Sequence, residues 1–147
     1  MKTRVVLADD HKLFREALRN MLLRHADIEV VGEASDGIEV VELVRSLQPD
    51  VVVTDIRMPR LNGIEAIAQL LAVHPPVKVI VLSVNSERIF ASEMLAAGAR
   101  GYVTKSDAEE LPRAIRAVLN NLEYLSLEVA AAVAAPVRSD NPIDGAA

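Results

Sequence analysis

The sequence predicts an α/β domain, a doubly wound parallel sheet in which five strands alternate with five helices. Three observations carry this reading. Short β-branched runs such as Val51-Val52-Val53-Thr54 are apolar on both faces, the pattern of a strand buried between two helical layers. Between these runs, apolar residues recur at helical spacing. Of the 147 residues, 51% are hydrophobic but only 3% aromatic, so the core must be built from Val, Ile, Leu and Ala. Strict alternation of strand and helix then calls for right-handed crossovers on one sheet.

Thr3 to Ala8 reads as the first strand, and Asp9-Asp10-His11 as the loop at its carboxyl end. Leu13, Phe14, Ala17, Leu18, Met21 and Leu22 mark the first amphipathic helix. Glu29 to Ala34 is the second strand, Ser35-Asp36-Gly37 a turn, and Val40, Leu43, Val44 and Leu47 the second helix, ended by Pro49. The third strand, Val51 to Thr54, delivers Asp55. Pro59 and Asn62-Gly63 punctuate the next loop, before a third helix carried by Ile64, Ile67, Leu70 and Leu71 and closed by Pro75-Pro76.

Val77 to Leu82 is the fourth strand and ends on Ser83. From Ser86 to Ala97 apolar positions are sparse (Ile89, Phe90, Met94, Leu95), and the fourth helix placed there stops at Gly98. Gly101 to Thr104 is a short fifth strand delivering Lys105. Leu111, Ile115, Val118 and Leu122 mark the fifth helix; Pro112 disfavours helix at Leu111, so the regular helix begins near Pro112, after an irregular turn. Residues 1–125 form one domain on this reading. Residues 126–147, Ala-rich and then carrying Pro136, Ser139, Asn141, Pro142 and Gly145, read as a linker or disordered tail.

Composition narrows the function. A net charge of -5 argues against direct nucleic-acid binding, and the lack of cysteine excludes disulfides and thiolate metal sites. No apolar stretch approaches the roughly 18 residues of a membrane span, and the N-terminal apolar run is cut short by Asp9, so a soluble cytoplasmic protein is expected.

In such a sheet, ligands gather at the carboxyl edge of the strands. Strands one, three, four and five end there on Asp9-Asp10, Asp55, Ser83 and Lys105, a net charge of minus two. Two like charges about 4 Å apart repel by about 4 kcal/mol at an effective dielectric near 20, so this cluster should bind a divalent cation or hold protons. Its oxygen ligands select Mg²⁺ or a similar hard ion that keeps several waters. An acid beside a metal, a hydroxyl and an ammonium is a layout for phosphoryl transfer onto that acid. Asp55 would be the nucleophile, with the metal and Lys105 neutralising phosphoryl oxygens and Ser83 donating to one of them. His11 reads as a loop or first-turn residue, since a hard ion has little use for imidazole; His25 and His74 read as surface residues near helix ends. Neither glycine-rich nucleotide-binding pattern is present.

The motifs Leu7-Ala8-Asp9-Asp10-His11, Val53-Thr54-Asp55-Ile56-Arg57-Met58-Pro59, Asn62-Gly63, Leu82-Ser83 and Gly101-Tyr102-Val103-Thr104-Lys105 stand in an order and spacing that resembles a bacterial two-component response regulator receiver domain. The resemblance covers about residues 3 to 125. The wording of Ala97-Gly98-Ala99-Arg100-Gly101-Tyr102 and of Arg113-Ala114-Ile115-Arg116-Ala117-Val118, with Tyr124-Leu125-Ser126, looks like the subfamily whose receivers precede a helix-turn-helix DNA-binding domain.

This resemblance implies a flavodoxin-like sheet of order 2-1-3-4-5. It implies that Asp55 accepts phosphate from a sensor histidine kinase, and that Asp10, Asp55 and the Arg57 carbonyl bind Mg²⁺ with Asp9 assisting. It implies a switch pair, in which the Ser83 hydroxyl moves toward the phosphoryl group and the Tyr102 ring turns inward, and a lifetime-tuning role for Arg57 and Asn85. Phosphorylation-dependent dimerisation near the fourth helix, fifth strand and fifth helix, or through the first helix, would be the readout. DNA would be met only through an output domain outside this chain, and catalysis would be limited to the chain's own phosphotransfer and dephosphorylation. Two alternatives compete. A haloacid-type phosphatase would carry a second Asp two residues beyond its nucleophile, where Arg57 stands here. A phosphorylation-independent pseudo-receiver usually lacks one of the acids or the lysine, all of which this sequence has.

Overall fold

The computed structural model of the chain describes residues 2–59 and 63–134. Side chains alternate along the central strands, and both faces are buried. Val6, Val52, Val79, Val81 and Tyr102 enter one core, whereas Val5, Leu7, Val51, Val53, Ile80, Leu82 and Val103 enter the other. The strands are β1 (Thr3–Ala8), β2 (Ile28–Ala34), β3 (Val51–Asp55), β4 (Lys78–Ser83), β5 (Gly101–Thr104) and β6 (Tyr124–Leu125). They form one sheet of order β2-β1-β3-β4-β5-β6, and every pairing is parallel.

Helices α1 (Lys12–Leu22) and α5 (Leu111–Leu119) supply Leu18, Leu22, Leu111, Ala114, Ile115 and Val118 to the second core. On the opposite face lie α2 (Gly37–Leu47), α3 (Gly63–Val73) and α4 (Arg88–Ala96), supplying Val40, Val44, Ile67, Leu70, Ala91 and Met94. Gly98 ends α4, because its φ of 118° leaves the helical region and favours glycine. The turn expected around Pro112 is a 3₁₀ segment, Lys105–Glu110, and α5 starts at Leu111 with Pro112 in its first turn. Leu122, expected on that helix, lies past its end and is 60% exposed.

The fold class and the order of the five expected strands are those observed, but the end of the chain requires a correction. Within the expected domain the sheet gains a sixth strand, β6, and although residues 126–147 were read as linker or tail, a sixth helix, α6 (Leu127–Ala134), packs against α4 and β5 with Val129 fully buried. Of the expected tail, residues 135–147 lie outside the described residues, as does the Asn62 turn.

Polar contacts fasten this added segment. The Thr104 N–H donates to Ser126 Oγ at 3.1 Å, and the buried Glu110 carboxylate accepts from the Tyr124 hydroxyl at 2.6 Å and from the Leu127 N–H at 3.1 Å. Asp107 accepts from the Glu128 N–H at 2.9 Å, while Ser106 donates to the Glu128 carboxylate at 2.6 Å.

Partial burial, then the bond to Glu110 and its negative charge, push the Tyr124 phenol up to about 12. An unfolded tyrosine ionises near pH 10, so the folded chain holds this proton longer. The stability it contributes is complete below about pH 10 and is lost as the pH rises through about 12. An ultraviolet phenolate titration should place Tyr124 near 12, and Tyr124→Phe should remove that step; a Tyr124 midpoint near 10 would mean that the bond to Glu110 is not made.

Candidate functional site

Strand register assembles the site. Ala8 pairs with Thr54, so the residues that follow, Asp9 and Asp55, emerge side by side; Ser83 pairs with Thr104, so Lys105 leaves the same edge one residue later. The strand residues leading up to them are buried, and this leaves little freedom in where the side chains start.

Lys105 Nζ lies 2.8 Å from Asp55 Oδ2 and 2.8 Å from Asp9 Oδ2, with its side chain only 14% exposed. Both carboxylates are buried. Burial alone would lower the lysine pKa, but its close contacts with Asp55 and then Asp9 outweigh that, and the ammonium is held above its usual range. The stem passes the Phe14 ring, with Nζ 4.9 Å from the centroid. Asp55 Oδ1 accepts from the Arg57 N–H and Asp9 Oδ1 from the His11 N–H, each at 2.8 Å. Asp9 Oδ2 makes no directed hydrogen bond, so its contact with Lys105 is an ion pair.

Asp9, Asp10, His11 and Asp55 offer ligand atoms within 4.8 Å of one another. Three carboxylates converging at one edge, with a net negative charge left after the Lys105 ammonium, suit a hard cation. Asp10 is the accessible acid of the group. His11 stands at the start of α1, as expected, and its side chain makes no capping hydrogen bond there; its Nδ1 lies nearer the site than the sequence suggested, 3.4 Å from Asp9 Oδ1 and 3.4 Å from Lys105 Nζ.

The buried Ser83 Oγ accepts from the Asn85 N–H at 3.0 Å, and the Tyr102 hydroxyl donates to the Asn85 carbonyl at 2.6 Å. Asn85 therefore joins the two residues expected to act as a pair. The Tyr102 ring is fully buried in this structure. Burial raises its phenol pKa, with Ser83 and the Arg57 charge pulling the other way and Glu87 adding to the rise. Arg57 is exposed, and the Asn85 side-chain oxygen accepts from the Glu87 N–H at 2.8 Å, so part of that amide is occupied by the start of α4.

Sequence reading missed Arg15, whose Nη1 donates to the Asp9 carbonyl at 2.6 Å, and its partner Glu33. The only available signal was that Arg15 stands one helical turn after His11. Phe14 was read as core, but its ring also lies beside the Lys105 ammonium.

The chain matches the family described as response regulator receiver domain over residues 5–116. It is 40% identical over 129 residues to the transcriptional regulatory protein DegU of Brevibacillus brevis, and 38% identical over 146 residues to the response regulator GacA of Pseudomonas aeruginosa. These alignments take in 87% and 96% of this chain. The chain spans 55% of the length of the first relative and 68% of the second. A crystal structure of a LuxR-family two-component response regulator from Aurantimonas sp. SI85-9A1 superposes with a TM-score of 0.85 at 36% identity, covering 91% of this chain and 96% of that one.

Replacing Lys105 by Met should leave two buried carboxylates without their counter-charge. Urea denaturation in EDTA is expected to show a loss of about 1–3 kcal/mol; an unchanged midpoint would mean that the two acids do not depend on this ammonium.

Proposed function

The chain belongs to the response regulator receiver domains of two-component systems, and from that premise we propose that Asp55 is its phosphoacceptor, fed by a sensor histidine kinase. The observation that carries this reading is Lys105 Nζ standing 2.8 Å from both Asp55 and Asp9, at the edge where four strands end. In the transfer, the phosphorus–nitrogen bond of a phosphohistidine breaks as an Asp55 carboxylate oxygen bonds to phosphorus. Lys105 exchanges its contact with Asp55 for a phosphoryl oxygen, and Ser83 turns its hydroxyl from the Asn85 N–H to donate to another. Asp10, Asp55 and the Arg57 carbonyl, with Asp9 assisting, would hold Mg²⁺. That ion supplies positive charge against the phosphoryl oxygens.

Catalysis on this reading is confined to the chain's own phosphorylation and dephosphorylation. Arg57 and Asn85, two residues beyond Asp55 and Ser83, govern access of the hydrolytic water and so the lifetime of the phosphoryl group. The assembled acids and lysine favour this over a phosphorylation-independent module. Among the described residues no helix is long and apolar enough to cross a membrane, which agrees with a cytoplasmic site of action. The output is transcriptional regulation, the role named in the DegU relative's description, through the helix-turn-helix DNA-binding domain that the sequence resemblance implies, with the receiver acting by phosphorylation-dependent self-association. Since α6 packs on α4 and β5, a second copy using that face has to displace it, whereas α1 offers a face without that obstacle.

With acetyl phosphate and Mg²⁺, intact mass should rise by one phosphoryl group, and neither Asp55→Asn nor EDTA-treated protein should gain it. Once labelled, Arg57→Ala and Asn85→Ala should lose the group at altered rates; equal labelling of Asp55→Asn would refute the assignment. Light scattering should show a larger mass with beryllofluoride and Mg²⁺ than without. The same mass in both conditions would count against self-association.

A further inference from the structure

The loop Asp9-Asp10-His11 carries three of the four groups clustered within 4.8 Å, so the position of its backbone decides where the acids point. Asp9 N–H donates to the Ala34 carbonyl at 3.0 Å, and the Asp9 carbonyl accepts from Arg15 Nη1 at 2.6 Å. Arg15 has a second contact, from Nε to Glu33 Oε1 at 3.0 Å, and the other Glu33 oxygen accepts from Arg19 Nη1 at 3.0 Å. The Arg15 and Glu33 side chains are 16% and 24% exposed, which shields them from competing water. A guanidinium is a rigid planar fork. Once Glu33 holds Nε, the plane is set and Nη1 is aimed at the Asp9 carbonyl.

We propose that Arg15, oriented by Glu33, is a positioning residue that fixes the peptide of Asp9 and thereby sets the affinity of the acidic cluster for its divalent cation. This rests on the reading of the cluster as a cation site serving Asp55. The residue touches neither the cation nor the phosphoryl group. It acts through the backbone, because the Asp9 carboxylate hangs from the same residue whose carbonyl Arg15 holds. Outer contacts that orient metal ligands typically change affinity about 10–100-fold when removed. The competing role is a staple between α1 and β2, which would alter stability and leave cation affinity alone.

Titrating MgCl₂ calorimetrically into wild type, Arg15→Met, Arg15→Lys and Glu33→Gln, with thermal unfolding of each, separates the two roles. The Mg²⁺ dissociation constant should weaken about 10-fold or more in Arg15→Met, and less in Arg15→Lys and Glu33→Gln, which keep part of the contact. Labelling by acetyl phosphate should need correspondingly more Mg²⁺ for half-saturation while keeping its maximal rate. Variants that melt earlier yet bind Mg²⁺ like wild type would overturn the proposal. Where Arg15→Met does not fold, the Mg²⁺ affinity of Arg15→Lys decides in the same way. A wild type that binds no Mg²⁺ would overturn the reading of the site, whereas wild-type binding with unshifted variants would overturn the role of Arg15 alone.

Discussion

One ammonium shared by two buried carboxylates is the constraint on which the rest of this structure depends. Asp9 and Asp55 are delivered by neighbouring buried strands and cannot separate without breaking the ladder between β1 and β3. Their repulsion is therefore fixed by the fold and must be met by positive charge at the same place. Lys105 supplies it from the far side of β4, and this explains why a short strand, β5, has to end where it does. A site with more acid than base, held by a sheet that cannot relax, favours an incoming cation.

Much of this was legible because strand ends are legible. Val51-Val52-Val53-Thr54 stands out as a strand buried on both faces, so Asp55 is placed at its carboxyl end by the chain alone, and the same holds for Asp9, Ser83 and Lys105. What stayed hidden depends on partners that carry no periodic signature. The acceptor for Arg15 is a backbone carbonyl, which no residue type announces. Strand β6 is two residues long, too short for alternation to register, so no sixth strand was expected; α6 is Ala-rich with one buried valine, so it was taken for linker. Nothing in the sequence singled out Glu110, which is buried with its carboxylate satisfied by the Tyr124 hydroxyl and the Leu127 N–H.

The two polar assemblies near β5 divide the work of the domain. Ser83, Asn85 and Tyr102 tie the end of β4 to an aromatic side chain in the core beside α4. Thr104, Ser106, Asp107 and Glu110 tie the loop after β5 to the start of α6. Both begin within a residue or two of a group facing Asp55, and α4 and α6 pack on each other.

The bond from the Thr104 N–H to Ser126 Oγ also makes the end of the described chain a lever on the site. Strands β5 and β6 run parallel, so tension entering at Ala134 and directed away from the carboxyl edge shears their hydrogen bonds together rather than peeling them singly. That load arrives at Thr104, one peptide bond from the lysine that bridges the two acids. A pull on the C-terminal helix is therefore shared among the ladder of β5, the Glu110 and Asp107 carboxylates and Ser126, and part of it reaches the peptide next to the lysine that faces Asp55.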